Sequence, residues 1–187
     1  MRHGEGVDDI EDRYGGWGDL PLSKKGKEQV KDSIKRLEKY DIDLILSSPL
    51  LRAKETAEIV SSELGIESRR WLFLKERNTY GLMSGEVKSE IEKEYPELHK
   101  AYEDDEWVLG SERYEDLVAR LKVMMRKLQE FDAETILAVT HGKVLAAISK
   151  EFLNKKLDKK VDSCLMEVEI DGDTVELVSV EGITFKK

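Results

Sequence analysis

The chain has 187 residues and a formal charge of -9, from 40 acidic against 31 basic side chains. That length suits one buried core, no composition break divides it, and a single domain over 1–187 is expected. So acidic a balance excludes a general nucleic-acid or membrane-surface binder, the lone Cys164 excludes an internal disulfide, and the absence of an apolar run of spanning length makes the cytoplasm the expected compartment.

In chain order, Ser23 can cap a helix whose apolar positions Val30, Ile34 and Leu37 recur at helical spacing, and Asp43 to Leu46 then reads as a buried strand. Ala53, Ala57 and Val60 mark a second helix, and Trp71 to Leu74 a second strand. A polar stretch interrupted by Pro96 follows. Ser111 is expected to open a helix bearing Leu117, Leu121, Met124 or Met125, and Leu128. This delivers the chain to a strand over Thr135 to Val139 and a helix with Val144, Ala147, Ile148 and Phe152. Met166, Val168 and Ile170, then Asp171-Gly172-Asp173, then Val175 and Leu177 read as a closing hairpin. Cys164 lies in an apolar stretch and reads as a small buried thiol.

This alternation implies an α/β fold, a three-layer α/β/α sandwich with a mostly parallel sheet and a C-terminal hairpin. Such sheets bind ligands beyond the carboxyl ends of their strands. Candidate site segments stand at such ends: Ser47-Ser48-Pro49, Lys75-Glu76-Arg77, Thr140-His141-Gly142 and Arg2-His3-Gly4. Together they hold what phosphoryl transfer needs. His3 can attack phosphorus, Arg2 and Arg52 offer planar forks, His141 stands before a helix N-terminus, and Glu76 can protonate a leaving oxygen and then activate water. Any one of these alone is weak, since an arginine on a helix is usually solvated and a Thr-His-Gly is often only a turn.

The chain resembles the histidine phosphatase superfamily, in the branch that includes cofactor-dependent phosphoglycerate mutases. The matching stretches are Arg2-His3-Gly4-Glu5, Arg13 to Asp19 (through Gly15 and Gly16) with Ser23 and Gly26, Ser47 to Ala53 with Thr56-Ala57, Leu74 to Arg77 with Tyr80-Gly81 and Gly85, and Thr140-His141-Gly142. The resemblance implies that His3 is the phosphorylated nucleophile, that Arg2, Arg52 and His141 form the phosphate pocket, that Glu76 is the acid/base, and that no metal or other cofactor is needed. The expected function is hydrolysis of a small phosphorylated metabolite, with no nucleic-acid or membrane partner. The oligomeric state is left open between monomer and dimer.

A phosphoglycerate mutase is the main rival, because Tyr80 to Lys88 has the spacing with which mutases present a tyrosine and a lysine to a carboxylated substrate. Against it, no arginine lies between Lys88 and Glu112, where mutases carry a clamp. A non-catalytic phospholigand-binding domain is the third reading. Asp9 and Lys143 stand where mutases place asparagines, and an Asp9/Lys143 interaction is expected to neutralise the pair beside the phosphoryl group. Glu76 to Gly81 is one residue longer than the family spacing. Residues 86–110 form the expected variable specificity and lid region.

The remaining features are expected to be plain structure. The run Glu103 to Glu106 reads as a solvated helix end, Lys155, Lys156, Lys159 and Lys160 as a soluble face, His99 as a surface residue, and Trp17, Trp71 and Trp107 as packing residues. Family members carry a short apolar strand before Arg-His-Gly, and here only Met1 precedes it. Val175 to Val180, Ile183 to Phe185, a partner chain or residues upstream of Met1 are the candidates to fill its place, the last ranked first.

Overall fold

The computed structural model describes residues 1–186. Ser23 caps the first long helix, α2 (Lys24–Leu37, after the single turn α1 at Val7–Ile10), its hydroxyl accepting the Gly26 N–H at 2.8 Å. That helix buries Val30 and Leu37. Strand β1 (Leu44–Ser47) is buried at every residue, as a central parallel strand covered on both faces should be. It pairs in parallel with β2 (Ser68–Arg70) and β3 (Ile136–Val139), giving the order β2-β1-β3. Helices α2 and α3 (Leu51–Leu64) pack on one face, where Val30, Ala53, Ala57 and Val60 join Ile45 and Val139. On the other face α6 (Tyr114–Leu128) and α7 (Gly142–Leu153) set Leu117, Leu121, Val144 and Ala147 against Leu44 and Leu46. Two short helices, α4 (Lys88–Glu94) and α5 (Pro96–Glu103), form an outlying lobe around Tyr14, Met83, Ile91 and Val108.

The chain closes with an antiparallel hairpin, β4 (Leu157–Asp171) and β5 (Thr174–Phe185), longer than the expected one and turned by Gly172 at φ 57. Neither Val175 to Val180 nor Ile183 to Phe185 enters the parallel sheet, contrary to one of the sequence expectations. Both pair with β4 across a two-residue turn, which closes a ladder at far lower entropic cost than a crossover into the sheet.

Residues Met1 to His3 join the two sheets. The Met1 amine donates to Ala138 O at 2.8 Å, Thr140 N–H to Met1 O at 2.8 Å, and His3 N–H to Thr140 O at 3.1 Å. On the opposite edge Arg2 N–H donates to Cys164 O at 3.0 Å and Ser163 N–H to His3 O at 3.2 Å. Beyond Met1 a slot of about 660 Å³ continues the line of this segment, between residues 134–138 on one side and 165–170 on the other.

Two sequence expectations are corrected. Trp71 to Leu74 is not a strand: β2 ends at Arg70, and Leu72–Leu74 form one 3-10 turn. A four-residue apolar run carries no periodicity that separates strand from turn, and here the turn buries Leu74, packs Trp71 against Phe131 at 5.6 Å and leaves Leu72 exposed. Helix α6 begins after Arg113 rather than at Ser111, whose N–H is taken by Val108 O at 2.9 Å.

The loop after His3 is pressed onto α2. A Cβ on Gly26 would lie 2.1 Å from Glu5 O, and one on Gly4 would lie 2.5 Å from Gly26 O. Alanine is the better helix former by about 1 kcal/mol, yet Gly26→Ala is expected to lower stability by about 1–3 kcal/mol through backbone displacement. A melting temperature equal to or above that of the parent would refute this close approach.

Candidate active site

The candidate side chains stand at the C-terminal edge of the parallel sheet. His3, 4% exposed, follows the short extended segment that pairs with β3. Its Nδ1 lies 2.6 Å from Gly4 O, and a carbonyl can only accept, so Nδ1 carries the proton and Nε2 keeps a lone pair. Thr56 fixes the loop, its hydroxyl accepting Gly4 N–H at 3.3 Å and donating to Arg52 O at 2.8 Å.

Arg52, on the first turn of α3, points its Nε at His3 Nε2 from 3.3 Å. Its other nitrogens donate to Gly18 O at 2.7 Å and Gly16 O at 2.9 Å, so neutral carbonyls rather than a carboxylate hold the fork and its positive charge is not cancelled by an ion pair. Gly16 turns its carbonyl inward at φ 48, a backbone conformation open to glycine, and Gly15 lies against Asp8.

His141, fully buried at the N-terminus of α7, has its ring centroid 4.9 Å from that of His3. Ser48 Oγ meets its Nε2 at 2.7 Å, and its Nδ1 is buried with no partner. Burial first, then the charge of Arg52, holds both histidines well below the usual imidazole range, with Arg2 adding to the effect on each. Both are therefore neutral at pH 7, the state in which an imidazole nitrogen can act as a nucleophile. Arg2 itself pairs with Asp162 at 3.0 Å and leaves Nε buried without a partner, so it contributes charge at the pocket's edge.

Glu76, 8% exposed, reaches the start of α7. Its Oε1 accepts Arg77 N–H at 2.9 Å and Val144 N–H at 3.3 Å, and its Oε2 accepts Lys143 N–H at 3.2 Å. The loop carrying it is held by groups the sequence reading missed. Arg120 donates to Phe73 O and Lys75 O at 2.7 and 2.9 Å while forking onto Glu112 at 3.0 Å, and Thr140 Oγ1 donates to Leu74 O at 2.8 Å. Asn78 absorbs the extra residue of the loop, its Oδ1 accepting from Gly81 N–H at 3.1 Å and Ser84 Oγ at 2.6 Å. Of these supporting groups Ser48, Thr56 and Thr140 lay inside stretches the sequence had singled out, though no such role was assigned to them. Arg120 and Asn78 carry no motif signal.

Other expected site residues divide. Tyr80 packs on Tyr14 and Tyr102 with ring centroids 5.1 Å away, its phenol pushed up by burial, and Lys143 lies over its ring at 5.1 Å. Lys88 is half-buried, pairs with Asp12 and is not brought to the pocket. Asp9 is exposed, its carboxylate accepting Gly6 N–H at 3.4 Å in the turn of α1. Asp8 faces inward instead, with Oδ1 buried and unpartnered, its carboxyl pushed up by burial against the opposing charge of Arg52. The Asp9/Lys143 interaction is not formed, because Lys143 Nζ donates to Thr79 Oγ1 at 2.8 Å.

Three residues read as plain surface or packing prove otherwise. His99 is half-buried and meets Tyr14 Oη through Nδ1 at 2.6 Å. Lys160 lies across Gly142, its Cε 2.6 Å from where a Cβ would stand. Trp17 is 41% exposed, donates from Nε1 to Glu76 O at 2.7 Å and carries Lys75 Nζ 3.5 Å above its ring. Among the described residues no cluster of three or more His, Cys, Asp or Glu side chains could hold a metal ion, and no helix is long and apolar enough to cross a membrane.

Residues 1–181 match the family model described as the histidine phosphatase superfamily (branch 1). A fructose-2,6-bisphosphatase of Saccharomyces cerevisiae is 33% identical over 159 residues, which cover 82% of this chain and 33% of that protein, so the chain spans about a third of that relative's length. An uncharacterized phosphatase of Bacillus subtilis, PhoE, is 29% identical over 174 residues, covering 90% of this chain and 86% of its own. The solved structure of Bacillus stearothermophilus YhfR superposes with a TM-score of 0.82 at 30% identity, covering 97% and 94% of the two chains.

Proposed function

The chain belongs to the histidine phosphatase superfamily, branch 1, and from that premise we propose that it hydrolyses small phosphomonoesters through a phosphohistidine on His3. The observation that carries the reading is the set of polar groups around His3 Nε2, an unprotonated nitrogen that accepts from the Arg52 guanidinium. His3 Nε2, Arg52 Nε at 3.3 Å from it and the unpartnered Nδ1 of buried His141 converge on one position, next to a carboxyl group held at the start of α7.

A phosphoryl group placed there meets the nucleophile in line and one fixed cation on its equatorial oxygens, with no reorganisation left to supply. His3 Nε2 forms the P–N bond as the P–O bond to the leaving group breaks, and Glu76 gives its proton to that oxygen. Water then attacks phosphorus with Glu76 taking a proton, the P–N bond breaks, and phosphate leaves. The phosphatase names of the yeast and Bacillus subtilis relatives support hydrolysis. The mutase reading loses its distinguishing lysine, since Lys88 pairs with Asp12 away from the pocket. The single buried Cys164 fits the cytoplasmic location proposed for the protein.

The test is release of inorganic phosphate from an aryl phosphate, beside an assay of phosphoglycerate interconversion. Glu76→Gln is expected to slow release from an alkyl phosphate about 10²- to 10⁴-fold, and less for a nitrophenyl ester whose leaving group needs no proton. Interconversion with little phosphate released would overturn hydrolysis in favour of the mutase, and neither activity would leave a binding domain.

A further inference from the structure

Glu76 marks where the leaving oxygen must lie, so the group attached to that oxygen passes the side chains around Glu76. Among them is a lysine whose charge no carboxylate meets among the described residues. Lys143 Nζ is half-buried, held by the Thr79 hydroxyl at 2.8 Å and the face of Tyr80 at 5.1 Å, and it is ion-paired to no carboxylate among the described residues. Desolvating an ammonium without an anion costs free energy, and the cost rises with further cations close by. Lys160 lies across Gly142, the neighbour of Lys143, and Lys75 rests on Trp17, whose indole is bonded to Glu76 O. Burial pushes the Lys143 ammonium down, with Arg77 and Lys160 adding to this and Glu76 and Asp105 opposing it. In a chain with a net charge of -9, positive charge is thus gathered on the leaving-group side of the acid as well as on the phosphoryl side.

We propose that Lys143 is a specificity-determining residue that binds a second anionic group, a carboxylate or another phosphate, carried by the leaving group of the substrate. The inference rests on the phosphomonoesterase reading and deepens it. A phosphoryl group seated at His3 hands its leaving oxygen to Glu76, which accepts the Lys143 backbone N–H at 3.2 Å, and the Lys143 side chain runs from there to place its ammonium at Thr79, where an anion carried beyond the leaving oxygen can meet it. There it forms charge-assisted hydrogen bonds in a partly dry setting.

The experiment measures phosphate release from two matched pairs: 3-phosphoglycerate against glycerol 3-phosphate, and propanediol bisphosphate against propanediol monophosphate. The wild type is expected to prefer the doubly anionic member of at least one pair by about tenfold to a hundredfold in kcat/KM, the worth of a hydrogen bond to a charged group. The favoured pair tells carboxylate from phosphate. Lys143→Met is expected to shrink that preference at least about tenfold, whereas Lys143→Arg, which keeps the charge, retains most of it. Equal wild-type rates within both pairs, or a Lys143→Met variant that slows both members of the favoured pair by one factor, would overturn the proposal while leaving hydrolysis intact. Should Lys143→Met not fold, Lys143→Gln and a falling preference with rising salt serve the same purpose. Absence of phosphate release from every ester would instead sink the phosphatase reading itself.

Discussion

Replacing His3 by alanine is expected to reduce phosphate release from an aryl phosphate at least about ten-thousandfold, with binding of inorganic phosphate weakened far less. The asymmetry follows from the division of labour in the pocket. Positive charge comes from Arg52, which keeps its carbonyl partners at Gly16 and Gly18 whether or not an imidazole stands beside it, and from Arg2. In the proposed mechanism covalent chemistry comes from His3 Nε2 alone. His141 cannot replace it, because its Nε2 is engaged by Ser48 Oγ at 2.7 Å, leaving Nδ1 as a donor or acceptor at the pocket rather than a nucleophile aligned with Glu76. The wild type, quenched during turnover of a labelled ester, should carry label in an acid-labile, base-stable linkage that His3→Ala lacks. A variant retaining more than a tenth of wild-type activity would show that water attacks the ester directly, and the role of His3 would be withdrawn.

The long helices and the strands β1 and β3 were legible because α2, α3, α6 and α7 repeat their apolar residues at helical spacing and because β1 up to Leu46 and β3 are apolar runs, whereas the polar strand β2 was not. The grouping of the candidate site residues was legible for a related reason: His3, Arg52 and His141 follow or flank strand ends, where a parallel sheet gathers whatever its loops carry. What failed was what one turn of backbone decides. Asp8 and Asp9 are adjacent acids, and the single turn of α1 sends Asp9 back to Gly6 N–H, which turns Asp8 inward. Lys160 looked like one of several solvated lysines, and only the path of β4 across the start of α7 lays it on Gly142. Arg120 lies on a helix 44 positions after Glu76 in sequence yet holds both carbonyls of the loop that carries it, and no local pattern encodes that contact.

The second large effect concerns the amine of Met1, and it is separable from catalysis. That group is buried at the mouth of the slot beside β3, donates to Ala138 O at 2.8 Å, and is lowered by burial from 8.0 to about 6. A cation whose folded pKa is depressed contributes a stability that is whole above pH 8 and is lost as pH falls toward 6, because the unfolded chain takes up the proton first. Two units correspond to about 2.7 kcal/mol, or about 5–11 °C in melting temperature for a chain of this size. His3 and His141, also depressed, add a loss of the same sign that begins only below their ordinary value of 6.5. The melting temperature of the chain as it stands should therefore slope upward from pH 6 to pH 8. Appending five residues of alternating apolar character ahead of Met1 moves the amine to the far end of the slot. The added strand can lie parallel to residues 134–138 and against 165–170, replacing a buried charge with an amide and filling space of about 660 Å³ with side chains. The extended chain is expected to melt at least about 5 °C higher at pH 6 and to lose the slope between pH 8 and 6.5 while keeping the histidine-linked fall below it. An extended chain with the parent's slope in that upper window, or no higher melting temperature at pH 6, would show that neither the buried amine nor the slot limits the stability of the sheet.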